Sequence, residues 1–150
     1  MAQSSAKAHF YQTDDDVFTL VQQFVACTLP RTEWTHPAHL TIALWYLSQL
    51  ALPEATVCIR TRIQRYNCCH GIETTKNSGY HETLTLFWVF IARRFLAAAN
   101  PNASVSALVN DFLLTYGEQK SLFREYYSDG LLMSWKARQT WVVPDLKPLD

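Results

Sequence analysis

Histidines stand at two places where the chain is about to become helical. The segment "EWTHPAHLTIALWYL", Glu33 to Leu47, carries His36 and His39, and "SGYHETLTLFW", Ser78 to Trp88, carries His81. Imidazole has its ordinary pKa nearest neutrality, and its neutral form is a metal ligand and a proton carrier. Positions three and four apart share a helix face. From His36 that face reads His39, Leu40, Ala43, Tyr46, Leu47 and Leu50; from His81 it reads Leu84, Trp88, Ile91 and Phe95. All three imidazoles therefore belong to apolar, inward-facing stripes. Facing helices of a bundle build sites in this way. Burial and the partial positive charge of a helix N-terminus both disfavour a charged ring, so the neutral form is expected. Trp88, on the His81 stripe, is expected in the core.

These residues suggest a metal centre. His36, His39 and His81 are the candidate ligands of a divalent ion, zinc or iron. Glu33 and Glu82, beside them, are candidates for a further ligand or for the general base. Lys76 and Asn77, in the "TKNSG" segment before His81, would steady an anion or carbonyl of the substrate. Three histidines with an open position suit zinc-activated water, and an added carboxylate suits ferrous iron. Hydrolysis and oxidation of a small molecule both fit. The competing reading is a non-catalytic helical module that binds a small ligand or a partner protein. Its histidines and glutamates would form a buried hydrogen-bonded network.

The segment "RYNCCHG", Arg65 to Gly71, also invites a metal. Adjacent residues on a helix diverge by about 100 degrees, so Cys68 and Cys69 do not chelate together. A zinc-finger pattern would need a second cysteine pair, which the chain lacks. The four cysteines are expected to be reduced and structural. Cys69 is expected buried and His70 in the closing turn of its helix, both structural; because the loop from Gly71 leads to His81, His70 also stays a candidate for the same site.

The elements that must position these groups are helices. Glycine is scarce, and period-two alternation is absent. A first helix opens near Asp14 to Asp16 and shows Val17, Leu20, Val21, Phe24 and Val25 on one face. A second starts at Thr35, with Pro37 tolerated in its first turn, and runs to Gln49. A third spans Pro53 to about Gly71. After a loop, a fourth covers Tyr80 to Ala99, with Ser78 as a candidate cap. A fifth covers Ser104 to Tyr116 with Gly117 as its cap, and a shorter sixth covers Leu122 to Tyr127. Together they predict one all-α domain over residues 1–150, a bundle of five to six helices, with 1–13 frayed and 142–150 an extended tail.

Composition supports a packed core. Of 150 residues, 49% are apolar, and Lys+Arg and Asp+Glu balance at 13 each. The zero net charge argues against nucleic-acid binding, which favours a basic excess. It also removes repulsion between copies, leaving a homo-oligomer open. The longest apolar run, Leu84 to Ala92, is far short of the ~20 residues a membrane span needs. Without a signal-like opening segment, the chain is expected to be cytoplasmic.

The three motifs, in order, resemble those of an uncharacterised family of small bacterial proteins with Glu-Trp-Thr-His-x-x-His-Leu, Arg-Tyr-Asn-x-x-His-Gly and Gly-Tyr-His-Glu-Thr segments. The likeness covers nearly the whole chain and falls here on Glu33, His36, His39, Asn67, His70, His81 and Glu82. It implies a small helical bacterial protein and no particular reaction.

Overall fold

The computed structural model describes residues 10–150. Every regular element among them is helical: α1 (Asp14–Val25), α2 (His36–Gln49), α3 (Leu52–Cys69), α4 (Glu82–Ala98), α5 (Val105–Tyr116) and two short helices, α6 (Asp129–Leu132) and α7 (Trp135–Gln139). Single 3-10 turns, Arg31–Glu33 and Leu122–Glu125, precede α2 and α6.

Local chemistry sets the starts. Thr13 and Asp16 form a reciprocal capping box at α1, and the Thr35 hydroxyl accepts the Ala38 N–H at α2. Pro37 sits in the first turn of α2, where its missing N–H costs nothing. Helix α2 is the axis of the molecule: it packs against α1, α3, α4 and α5. Leu40, Thr41, Ile42, Ala43 and Leu44 are consecutive and all buried, so this helix is apolar nearly all round, as a central helix must be. The Thr41 hydroxyl is satisfied by the Pro37 carbonyl and the Tyr11 hydroxyl.

The start of α4 differs from the sequence expectation. The helix begins at Glu82 rather than Tyr80, and His81 replaces Ser78 as the cap. The cause is Gly79, with φ of +86°; a Cβ there would come within 2.4 Å of the Glu73 carbonyl oxygen. Ser78 instead pairs its hydroxyl with Thr75 at 2.8 Å. The sixth expected helix is only the 3-10 turn at Leu122–Glu125, followed by α6 and α7.

Of the expected frayed segment, residues 1–9 lie outside the described residues. Phe10 to Thr13 are anchored. The carboxamide oxygen of Asn110 on α5 accepts the N–H groups of Phe10 and Tyr11 at 3.1 and 3.0 Å, and its nitrogen donates to the Tyr11 carbonyl at 2.7 Å. The segment beyond Trp141 has no helix or strand, bends at residues 145–147, and is tied down. Tyr127 donates to the Val142 carbonyl at 2.8 Å, and the Leu146 N–H reaches the Tyr126 carbonyl at 2.9 Å. No described helix is long and apolar enough to cross a membrane.

Asn110→Ala removes all three anchoring bonds and leaves backbone groups without partners. It is expected to cost about 2–4 kcal/mol in urea unfolding, and to speed proteolysis within residues 10–13. Unchanged stability would show that the segment does not depend on Asn110.

Candidate functional site

His36, His39 and His81 line one cavity of about 310 Å³. Its floor is apolar, from Ala43 on α2, Ile59 and Ile63 on α3, and Leu84 on α4. Trp88, Tyr80 and Phe123 supply aromatic walls, Asn67 a carboxamide, and Lys120 an ammonium group. No carboxylate among the described residues lines it. Cavities of this size, mostly apolar with a few polar groups, suit small molecules.

The hydrogen bonds assign the protons of the three imidazoles, because a carbonyl can only accept. His81 donates from Nε2 to the Leu132 carbonyl at 2.9 Å, and its Nδ1 accepts the Leu84 N–H at 3.1 Å. Both ring nitrogens are thus engaged, and the ring is neutral. It serves as the N-cap of α4 and ties that helix to α6. His39 donates from Nδ1 to the Thr35 carbonyl at 2.8 Å, which leaves a lone pair on Nε2. His36 reaches the Tyr116 carbonyl from Nε2 at 3.3 Å, which leaves a lone pair on Nδ1.

Electrostatics keep these rings neutral. Burial is the largest cause in each case. It pushes His39 down to about 4 against the favourable Thr35 carbonyl, with His36 adding repulsion. Burial also lowers His36 and His81; the carbonyls of Tyr116 and Leu132 oppose it, and the charges of Lys120 and Arg138 reinforce it. Trp34 stacks on the His39 ring at 3.7 Å between centroids, and Trp88 meets His36 edge-on at 4.8 Å.

Glu82 is 7% exposed and does not line the cavity. Its carboxylate takes the Arg60 Nε at 2.9 Å and the Tyr80 hydroxyl at 2.6 Å. It therefore holds Tyr80, which does line the cavity, and Tyr80 is pushed up by burial and by that bond. Glu33 lies exposed in the 3-10 turn before α2, and Lys76 lies exposed in the Gly71–Gly79 loop; neither lines the cavity. His70 caps the end of α3, stacks on Tyr66 at 4.2 Å and donates to the Cys27 carbonyl at 3.0 Å, and it does not line the cavity. No group of three His, Cys, Asp or Glu side chains among the described residues is arranged to hold a metal ion.

Tyr80, Asn67, Lys120 and Phe123 also line the cavity, and sequence pattern alone assigns none of them a role there. Asn67 is 8% exposed, and its carboxamide has no hydrogen-bond partner among the described residues. It is not sealed off, since no buried side-chain polar atom among the described residues lacks a partner; its unused capacity faces open space. It follows Ile59 and Ile63 at four-residue steps, so a polar end to an apolar stripe was its signal. Lys120 and Phe123 come from the irregular segment after α5, where no periodicity could mark them. Trp88 is half-buried as a cavity wall; the core position on this part of α4 belongs to Phe87.

Arg138 of α7, itself buried, shapes the approach by donating to the carbonyls of Gly79 and Tyr80 at 3.1 and 3.2 Å. His81→Ala deletes the cap and leaves the Leu132 carbonyl unpaired, so it is expected to cost about 2–4 kcal/mol. His81→Asn restores the capping acceptor and should recover about 1 kcal/mol of that. Equal losses in both variants by chemical denaturation would contradict a capping role.

The His39 shift has a pH consequence. The unfolded chain takes up a proton near the ordinary histidine value, and the folded chain only near 4. Between those values the unfolded state holds more protons, so stability falls as pH falls through this window. His39→Gln should flatten the acid limb of a thermal-stability profile between about pH 6.5 and 4. An unchanged acid limb would place His39 in an ordinary, solvated environment.

No family model, curated protein or solved structure matches this chain.

Proposed function

We propose that the chain is a small-molecule-binding helical module, and that the cavity at the N-terminal ends of α2 and α4 takes a planar, N–H-donating heteroaromatic acid. One observation carries this reading: two neutral imidazole lone pairs and a carboxamide with no hydrogen-bond partner among the described residues belong to residues lining the same apolar cavity. Neutral imidazoles without their own proton on that nitrogen can only accept, so the ligand must donate. The Asn67 carboxamide both donates and accepts, which suits an amide-like or ring N–H and carbonyl edge. Trp88, Tyr80 and Phe123 offer faces and edges for a flat ring. Among the described residues Lys120 is the one charged lining residue, and it favours an acidic substituent at the exposed side. A cationic ligand would find no carboxylate there.

The alternative, a divalent metal with hydrolytic or oxidative chemistry, draws on the same two lone pairs. Zinc or iron would be held by His36 and His39, with the ligand or water completing the set, because both nitrogens of His81 are already bonded. Glu82 would have to leave Arg60 and Tyr80 to act as a base.

Calorimetric titration with the ring N–H acids orotate and indole-2-carboxylate tests the reading, alongside their N-methyl forms and with nicotinate, whose ring nitrogen carries no proton at neutral pH, as the non-donating control. At least one acid should bind, and N-methylation should weaken it by roughly 10- to 100-fold, the loss of one buried hydrogen bond. His39→Phe and Asn67→Leu should each weaken it similarly while the fold persists. Binding that is indifferent to N-methylation and to both substitutions would refute the assignment, as would binding that requires added zinc or ferrous iron.

A further inference from the structure

The C-terminal end of α1 carries a cysteine where a glycine belongs. The N–H of Cys27 bonds the Phe24 carbonyl and that of Thr28 bonds the Gln23 carbonyl, at 3.1 and 2.9 Å. This double closure is the helix-ending motif that puts its penultimate residue in the left-handed region. Cys27 has φ of +63°, and it is the only non-glycine residue with positive φ among the described residues. A side chain there is disfavoured relative to glycine, so the position gains nothing locally from cysteine. What the side chain does gain is a partner: its Sγ lies 2.7 Å from the Sγ of Cys69, in the last turn of α3.

The last turn of α3 holds the end of α1 in place by three side chains. Arg65 donates to the Val25 carbonyl, Tyr66 to the Leu29 carbonyl at 2.7 Å, and His70 to the Cys27 carbonyl at 3.0 Å. The two sulfurs are thus positioned by bonds that do not involve them. Both thiols are free, Cys69 is exposed and Cys27 half-exposed, so a small oxidant can reach them.

We infer that Cys27 and Cys69 form an oxidation site at which a peroxide converts two thiols into an intramolecular disulfide, tying the end of α1 to the end of α3. One thiolate attacks the peroxide and becomes a sulfenic acid, releasing one water. The partner thiolate attacks that sulfur and the second oxygen leaves as water. The two thiols lose two electrons and two protons in all, and one hydrogen peroxide is reduced to two waters. Cys68 points elsewhere on the helix, and a bond between Cys68 and Cys69 would break the helical turn that holds them. The oxidation does not depend on what the histidine cavity binds.

The test treats the folded chain with a few equivalents of hydrogen peroxide, alkylates remaining thiols in denaturant and maps peptides without reduction. Wild type and Cys68→Ser should each give a Cys27–Cys69 link within one chain, and wild type should retain two alkylated thiols of its four. Cys69→Ser should give no link. Cys27→Gly should give none either, and, as the residue the left-handed turn prefers, it protects the test against misfolding. Closing a 42-residue span should raise the melting temperature of the oxidised wild type by roughly 10 °C, reversed by dithiothreitol. A link through Cys68 or Cys58, links only between chains, or four thiols that overoxidise or stay free without linking would overturn the inference.

Discussion

The imidazole of His81 must accept one hydrogen bond and donate another, and only a neutral ring can do both. Its Nδ1 closes the first turn of α4 on the Leu84 N–H, and its Nε2 proton holds the Leu132 carbonyl. Gly79 makes this possible by turning the chain through a left-handed conformation before the helix begins. Arg138 and the Glu82–Arg60 pair then fix the backbone and ring of Tyr80 on either side. The mouth of the cavity is therefore built around an uncharged histidine whose bonding capacity is spent on structure.

That expenditure decides what remains for a ligand. His36 and His39, at the start of α2, each give their proton to a backbone carbonyl and keep one lone pair. Burial holds both neutral, with Trp34 packed on the His39 ring and Trp88 edge-on to His36. The same surroundings strengthen any hydrogen bond a ligand makes to those lone pairs. Helix α2 supplies the rigidity: packed on four sides, it cannot shift its first turn without disturbing the whole core.

Much of this was legible in the sequence. The five long helices follow from their apolar stripes, and the convergence of His36, His39 and His81 follows from the faces those residues occupy. Their roles did not follow, because a helical face says where a side chain lies but not which nitrogen is already bonded. Sequence adjacency misled in two places. Glu33 stands three residues before His36, yet the 3-10 turn leaves it exposed while Trp34 packs on His39. Lys76 lies near His81 in sequence, but it sits exposed in the Gly71–Gly79 loop. The ammonium group of the cavity comes from Lys120, in a segment without periodicity.

The central claim is that the three histidines are neutral at pH 7, with protons on Nε2 of His36 and His81 and on Nδ1 of His39. Long-range proton–nitrogen correlation spectra of the labelled protein read these tautomers directly. The account predicts one pyrrole-type and one pyridine-type nitrogen in each ring, in that assignment, with His39 resisting protonation until about pH 4. A doubly protonated His39 near pH 6, or a proton on Nδ1 of His81, would contradict it.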